Sequence, residues 1–147
     1  MRAVVDTNVW ISALLNPHDS PASPILAFRD GLFEAVASEP LFSEIKAVLR
    51  RPRIWLKYQL DEDTVAAYLA LIRQQVIWVE PTGSLHLCRD PRDDFLLETA
   101  IWGDAQYIVT RDDDLKRDPA LLQQLSASGI KIVSVQHFLD LLSEQSP

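Results

Sequence analysis

Five short runs limit what this chain can become. Ala3–Val5, Phe33–Ala37, Val76–Val79, Tyr107–Val109 and Ile130–Val133 are too short for helices and largely apolar along their length. Helix-patterned segments separate them. Residues 9–15 are stopped by Asn16-Pro17, and residues 24–30 by Gly31. A helix opened by Ser38 with Pro40 in its first turn is closed by Pro52. Others follow at roughly 61–75, over "DDFLLETAIW" before Gly103, at 119–128 and at 135–143. "NPHDSPASP", residues 80–93 and "RDDDLKRD" are expected as loops. Short apolar strands alternating with helices require a mainly parallel sheet covered on both faces. The expectation is one α/β domain over residues 1–147, in three α/β/α layers.

The first strand runs straight into a carboxylate: "MRAVVDTNVWISALL". In an open parallel sheet, ligands bind beyond the carboxyl ends of the strands. Asp6 follows the first strand directly, and Asp112 follows "YIVT" by two residues. Asp94 lies in the first turn of the helix feeding that strand, so it starts at the same edge. Glu44 sits one turn into its helix, between Phe42 and Ile45. Each acid also has a plainer role. Asp6 suits an N-cap, and Asp93 and Asp94 suit a helix dipole. Glu44 could pair with Lys46 or Arg51, and "RDDDL" could be an Asp-stabilised turn. If Asp6 serves a site instead, the capping falls to Thr7 or Asn8. Convergent carboxylates repel, and hard divalent cations such as Mg²⁺ relieve that repulsion through oxygen ligands. His18, His86 and His137 are scattered without zinc-site spacing.

The net charge of −7 argues against a protein that coats nucleic acid by net positive charge. It does not exclude an enzyme whose acids hold metal. Cys88 is the single cysteine, so no internal disulfide can form. "MRAVVDTN" lacks a signal pattern, and no apolar run approaches the roughly 20 residues of a membrane span. A cytoplasmic protein without a membrane segment is the expectation.

Taken in order, "VVDTNVWISALL", "SEPLFSEIKAVLRRP", "DPRDDFLLETAIWGDAQYIVTRDDDL" and "GIKIVSVQHFLDLL" resemble a PIN-domain protein over nearly the whole chain. The nearest subgroup resembles the VapC-type toxins of toxin–antitoxin pairs. The resemblance implies a metal-dependent endoribonuclease with one or two Mg²⁺ or Mn²⁺ ions. Its acidic site would match Asp6, Glu44, Asp94 and Asp112, with Asp93 as the alternative third acid and Asp114 as an addition to the fourth. Thr7, Asn8 and Thr110 match supporting polar positions. Where many relatives carry glycine after the threonine of "VT", this chain has Arg111, which could hold phosphate or pair with Asp112. The resemblance also implies an RNA substrate, a small inhibitory antitoxin protein and a homodimer.

An RNA strand at an acidic centre needs positive charge nearby. Arg50, Arg51, Arg53 and Lys57, interleaved with Trp55 and Tyr58, could grip phosphate and stack bases. The plainer alternative is a solvated basic face. Two other functions compete. A non-catalytic PIN-fold binding module would keep the acids without turnover. A phosphoacceptor receiver-like domain would need paired acids after the first strand and a lysine after the last, whereas Lys131 begins its strand.

Overall fold

The computed structural model describes residues 1–16, 24–86 and 91–145, apart from the side chains at 91, 92, 113 and 114. His18 and Cys88 lie outside these residues, as does most of the "NPHDSPASP" segment.

Five strands form one parallel sheet: β1 (Arg2–Val5), β2 (Glu34–Ala37), β3 (Ile77–Trp78), β4 (Tyr107–Val109) and β5 (Lys131–Val133). Their order is β3-β2-β1-β4-β5. β1 is central, pairing Ala3 with Ala35 on one side and with Tyr107 on the other. Its Ala3, Val4 and Val5 are buried, as expected of a strand covered on both faces.

The helices are α1 (Thr7–Leu15), α2 (Pro24–Arg29), α3 (Glu39–Leu49), α4 (Pro52–Lys57), α5 (Glu62–Gln75), α6 (Pro91–Trp102), α7 (Asp113–Arg117), α8 (Pro119–Ala127) and α9 (Val135–Gln145). Connections from β1 step outward through β2 to β3, then return across β1 to β4 and β5. With right-handed crossovers, this reversal sends the two sets of connecting helices to opposite faces. It also opens a crevice between the carboxyl ends of β1 and β4, the topological switch point.

Aromatic packing fixes the helices. Trp10 meets Phe28 edge-on at 5.1 Å, and Tyr68 Oη donates to the Trp10 carbonyl at 2.6 Å, tying α5 to α1. Phe138 of α9 packs against Phe33 at 4.9 Å. Trp78 rests on Phe42 at 5.6 Å, whereas Trp102 is 58% exposed.

Several local expectations change. "RDDDLKRD", expected as a loop, contains a helix, α7, and residues 52–57, for which no element is expected, form α4. α1 starts at Thr7, because Asp6 itself is the cap: its Oδ1 accepts from Thr7 N at 2.8 Å. Capping therefore does not pass to Thr7 or Asn8. Ser38 occupies its N-cap position but makes no capping bond, and its Oγ is hydrogen bonded to Thr99 Oγ1 at 2.9 Å.

Gly103 ends α6 for a reason other than the left-handed turn expected of such a glycine. The positive φ (53°) falls on Asp104. A Cβ at Gly103 would collide with the Val36 side chain and stand 2.9 Å from the Thr99 carbonyl oxygen. The glycine lets α6 lie close on β2. Gly103→Ala should therefore destabilise the fold by about 1–3 kcal/mol, read as a lower urea midpoint at unchanged slope. An unchanged midpoint would show that α6 shifts freely.

Candidate functional site

β1 and β4 are held together past their last residues. The Asp6 N–H donates to the Val109 carbonyl at 2.9 Å, carrying the ladder one step beyond β1. Thr110 Oγ1 then donates to Asp6 Oδ2 at 2.7 Å, and accepts from the Asp112 backbone N–H at 2.9 Å. On the other side, Thr7 Oγ1 donates to Glu44 Oε2 at 3.1 Å. Glu44, Thr7, Asp6, Thr110 and Asp112 thus form one connected chain spanning α3, α1, β1 and the end of β4. Thr7 and Thr110 are both buried, so their hydroxyls are fixed by what they bond.

The acids open into a cavity of about 680 Å³, walled by Asp6, Thr7, Glu44, Asp93 and Asp112 at its polar end. The cavity extends between α1 and α3 past Ile11, Leu15 and Val48 to Arg51 and Tyr58. Burial raises the Asp6 carboxyl above its ordinary 3.8. The Thr110 hydroxyl and Thr7 N–H pull it back, and the negative charges of Glu44 and Asp112 push it up again.

Of the two acids considered for the third position, Asp93 is on the cavity wall. Asp94, the residue matched by the resemblance, is buried (7% exposed) and is not part of that wall. One residue along a helix turns a side chain by about 100°, enough to separate two neighbouring acids in this way. Asn8 is exposed at the cavity mouth. The Asp114 side chain falls outside the described residues.

The basic cluster divides. Arg50 is paired with Glu62 at 2.7 Å and lies over Trp55 at 5.8 Å. Lys57 sits over the Tyr58 ring at 5.3 Å. Arg53 and Arg111 are exposed and away from the cavity wall, while Arg51 is on it.

Glu98 is an acid that sequence reasoning passed over. It is 3% exposed, in the middle of α6. Its two oxygens accept the backbone N–H groups of Gly83 (2.9 Å) and Leu85 (2.7 Å). Burial works against its charge, but those amides, with Thr82 and Ser84, outweigh it and hold the carboxyl below its ordinary range. The signal was an acid set between Leu96-Leu97 and Ala100-Ile101 in "FLLETAIW".

An oxygen-rich donor set suits a hard divalent cation, and the repulsion on Asp6 is the strain such an ion relieves. Among the described residues, no group of three or more His, Cys, Asp or Glu side chains is drawn together closely enough to chelate as it stands. The acids would have to close by side-chain rotation.

The PIN domain family model matches residues 2–114, and the chain belongs to that family. An uncharacterized protein of Methanocaldococcus jannaschii is 27% identical over 143 residues, covering 95% of this chain and 90% of that protein. Among solved structures, VapBC2 from Rickettsia felis, bound to a DNA fragment from its promoter, has a chain with the same fold. The TM-score is 0.54 at 14% identity, over 91% of this chain and 98% of that one.

The raised Asp6 carboxyl carries a testable sign. Its charge penalises the folded state above the folded-state pKa, and the penalty fades as pH falls towards the unfolded value. Asn at position 6 keeps a capping oxygen, and its amide can donate to Thr110 Oγ1. Asp6→Asn without metal should therefore match or exceed the wild-type melting temperature at pH 7, with the gain shrinking towards pH 4. Each kcal/mol corresponds to about 2–4 °C for a chain this size. A variant that melts several degrees lower at pH 7 would contradict the assigned strain.

Proposed function

We propose that this PIN-domain chain is a divalent-metal-dependent endoribonuclease and the toxin component of a toxin–antitoxin pair. The observation that carries the reading is the chain of bonds from Glu44 through Thr7, Asp6 and Thr110 to Asp112. It gathers acids from three separate parts of the sequence at the switch point of a PIN fold.

Asp6, Glu44 and Asp112 would hold one or two Mg²⁺ or Mn²⁺ ions, with Asp93 as the third-position acid favoured by its place on the wall, ahead of Asp94. When bound, such ions polarise the phosphate and lower the pKa of water. The residues of the chain supply the rest. Thr110 Oγ1 holds Asp6 Oδ2 in place, and Thr7 Oγ1 holds Glu44 Oε2. The apolar wall formed by Ile11, Leu15 and Val48 keeps bulk water from one side of the cavity.

The antitoxin partner draws support from the similar fold in the VapBC2 complex, whose partner protein is part of that assembly. An acidic cavity is a suitable receptor for a basic side chain of such a partner. No helix among the described residues is long and apolar enough to cross a membrane, in keeping with a cytoplasmic toxin acting on RNA. A homodimer is part of the same proposal.

Purified protein should cleave single-stranded RNA with Mg²⁺ or Mn²⁺ and stop on chelation. Asp6→Asn and Asp112→Asn should each lower the rate by at least 100-fold while the circular dichroism spectrum stays native. In parallel, millimolar Mn²⁺ should raise the wild-type melting temperature, and Asp6→Asn should lose that rise. Undiminished cleavage by Asp6→Asn would defeat the site. Absence of cleavage with a normal Mn²⁺ shift would favour the non-catalytic binding module.

A further inference from the structure

We infer that the far end of the acidic cavity is a base-stacking subsite, built on Tyr58 and Arg51, that holds one unpaired nucleobase beside the bond to be cut. The inference rests on the ribonuclease reading and deepens it by naming where the substrate strand is gripped.

Two helical faces lead from the acids to this end. On α1, Asn8, Ile11, Ser12 and Leu15 recur at helical spacing along the cavity. On α3, Glu44 and Val48 lie four residues apart, and Arg51 follows three residues later at the junction with α4. Five residues of helical rise carry α3 about 7 Å from Glu44 to its end at Leu49, and Arg51 lies two residues beyond that end, in extended backbone. A group bound there lies beside the acids rather than on them.

The chemistry changes along that path. The acidic end suits metal and phosphate. The middle is apolar, and the far end offers a tyrosine ring and a guanidinium. Arg50, Arg73 and Arg2 are each paired with a glutamate, at 2.7, 3.3 and 3.8 Å. Arg51 forms no ion pair among the described residues, so its charge is available to a ligand. Tyr58 is half-buried, on the wall, with Lys57 over its ring at 5.3 Å. An aromatic ring with one cation over it, a second cation on the same cavity wall and apolar surface alongside fit a base and its phosphate, and about 680 Å³ accommodates a ligand of that size. A duplex cannot present a base this way, because its bases are stacked and paired.

The test separates base from backbone. Binding of fluorescent eight-residue oligoadenylate, and of the same strand with every base removed, is followed by anisotropy in EDTA, where cleavage does not compete. Tyr58→Ala should weaken oligoadenylate about tenfold and leave the abasic strand unchanged. Tyr58→Phe should bind like wild type, which also controls for folding. Arg51→Ala should weaken both strands and reduce the slope of log K against log salt by about 0.7. Equal effects of Tyr58→Ala on both strands, or none on either, would overturn the subsite. Binding of neither strand by wild type would instead remove the RNA reading beneath it. Tyr58-dependent binding of an arginine-bearing amphipathic peptide, with Tyr58-independent RNA binding, would assign the groove to a protein partner.

Discussion

The bonds between the ends of β1 and β4 set the geometry of this protein. Asp6 N–H reaches Val109, and Thr110 Oγ1 reaches Asp6 Oδ2 at 2.7 Å. The first is backbone pairing and exists because β1 and β4 are adjacent. The second is side-chain chemistry and exists because threonine follows β4 directly. Together they point a carboxylate outward from the centre of a sheet whose strands are otherwise buried. Neither bond would form had the chain order not reversed after β3, because β1 and β4 become neighbours only through that reversal.

Asp6 serves two ends at once. One oxygen caps α1 and the other accepts from Thr110, so one carboxylate ties the start of α1 to the end of β4. A cap alone contributes about 1 kcal/mol and would be served as well by Ser or Asn. Ser or Asn would avoid the cost of charge beside Glu44 and Asp112. Aspartate here carries the cost of burying a charge, with repulsion from Glu44 and Asp112 added to it. Under the proposed ribonuclease reading, that strain is what a bound cation would relieve.

Much of this was legible in the residues, and the remainder fails for identifiable reasons. All five strands fall where the apolar runs lie, since a buried parallel strand cannot disguise its composition. α4 and α7 were not legible. Each is under two turns long, and α4 buries no residue fully, so neither shows an amphipathic period. Asp6, Glu44 and Asp112 could be proposed from strand ends and helix starts. The choice between Asp93 and Asp94 could not, because it depends on the rotation of α6, which close packing of Gly103 on Val36 helps to set. Arg50 and Arg51 are adjacent and chemically identical in sequence. Glu62, a partner supplied by α5, is what separates them.

That separation bears on how an acidic chain could take an anionic strand. With a net charge of −7, long-range attraction does not draw RNA in. Any attraction has to be local, within a Debye length of about 8 Å at physiological salt. Cations held by the acids would act at one end of the cavity and Arg51 at the other, with apolar surface between them. A ligand that satisfies only one end gains little: a free phosphate lacks the base, and a duplex cannot reach the ring. In the proposed complex, selectivity for an unpaired strand would follow from the spacing of two small positive regions across an apolar gap, and would require no extended basic surface.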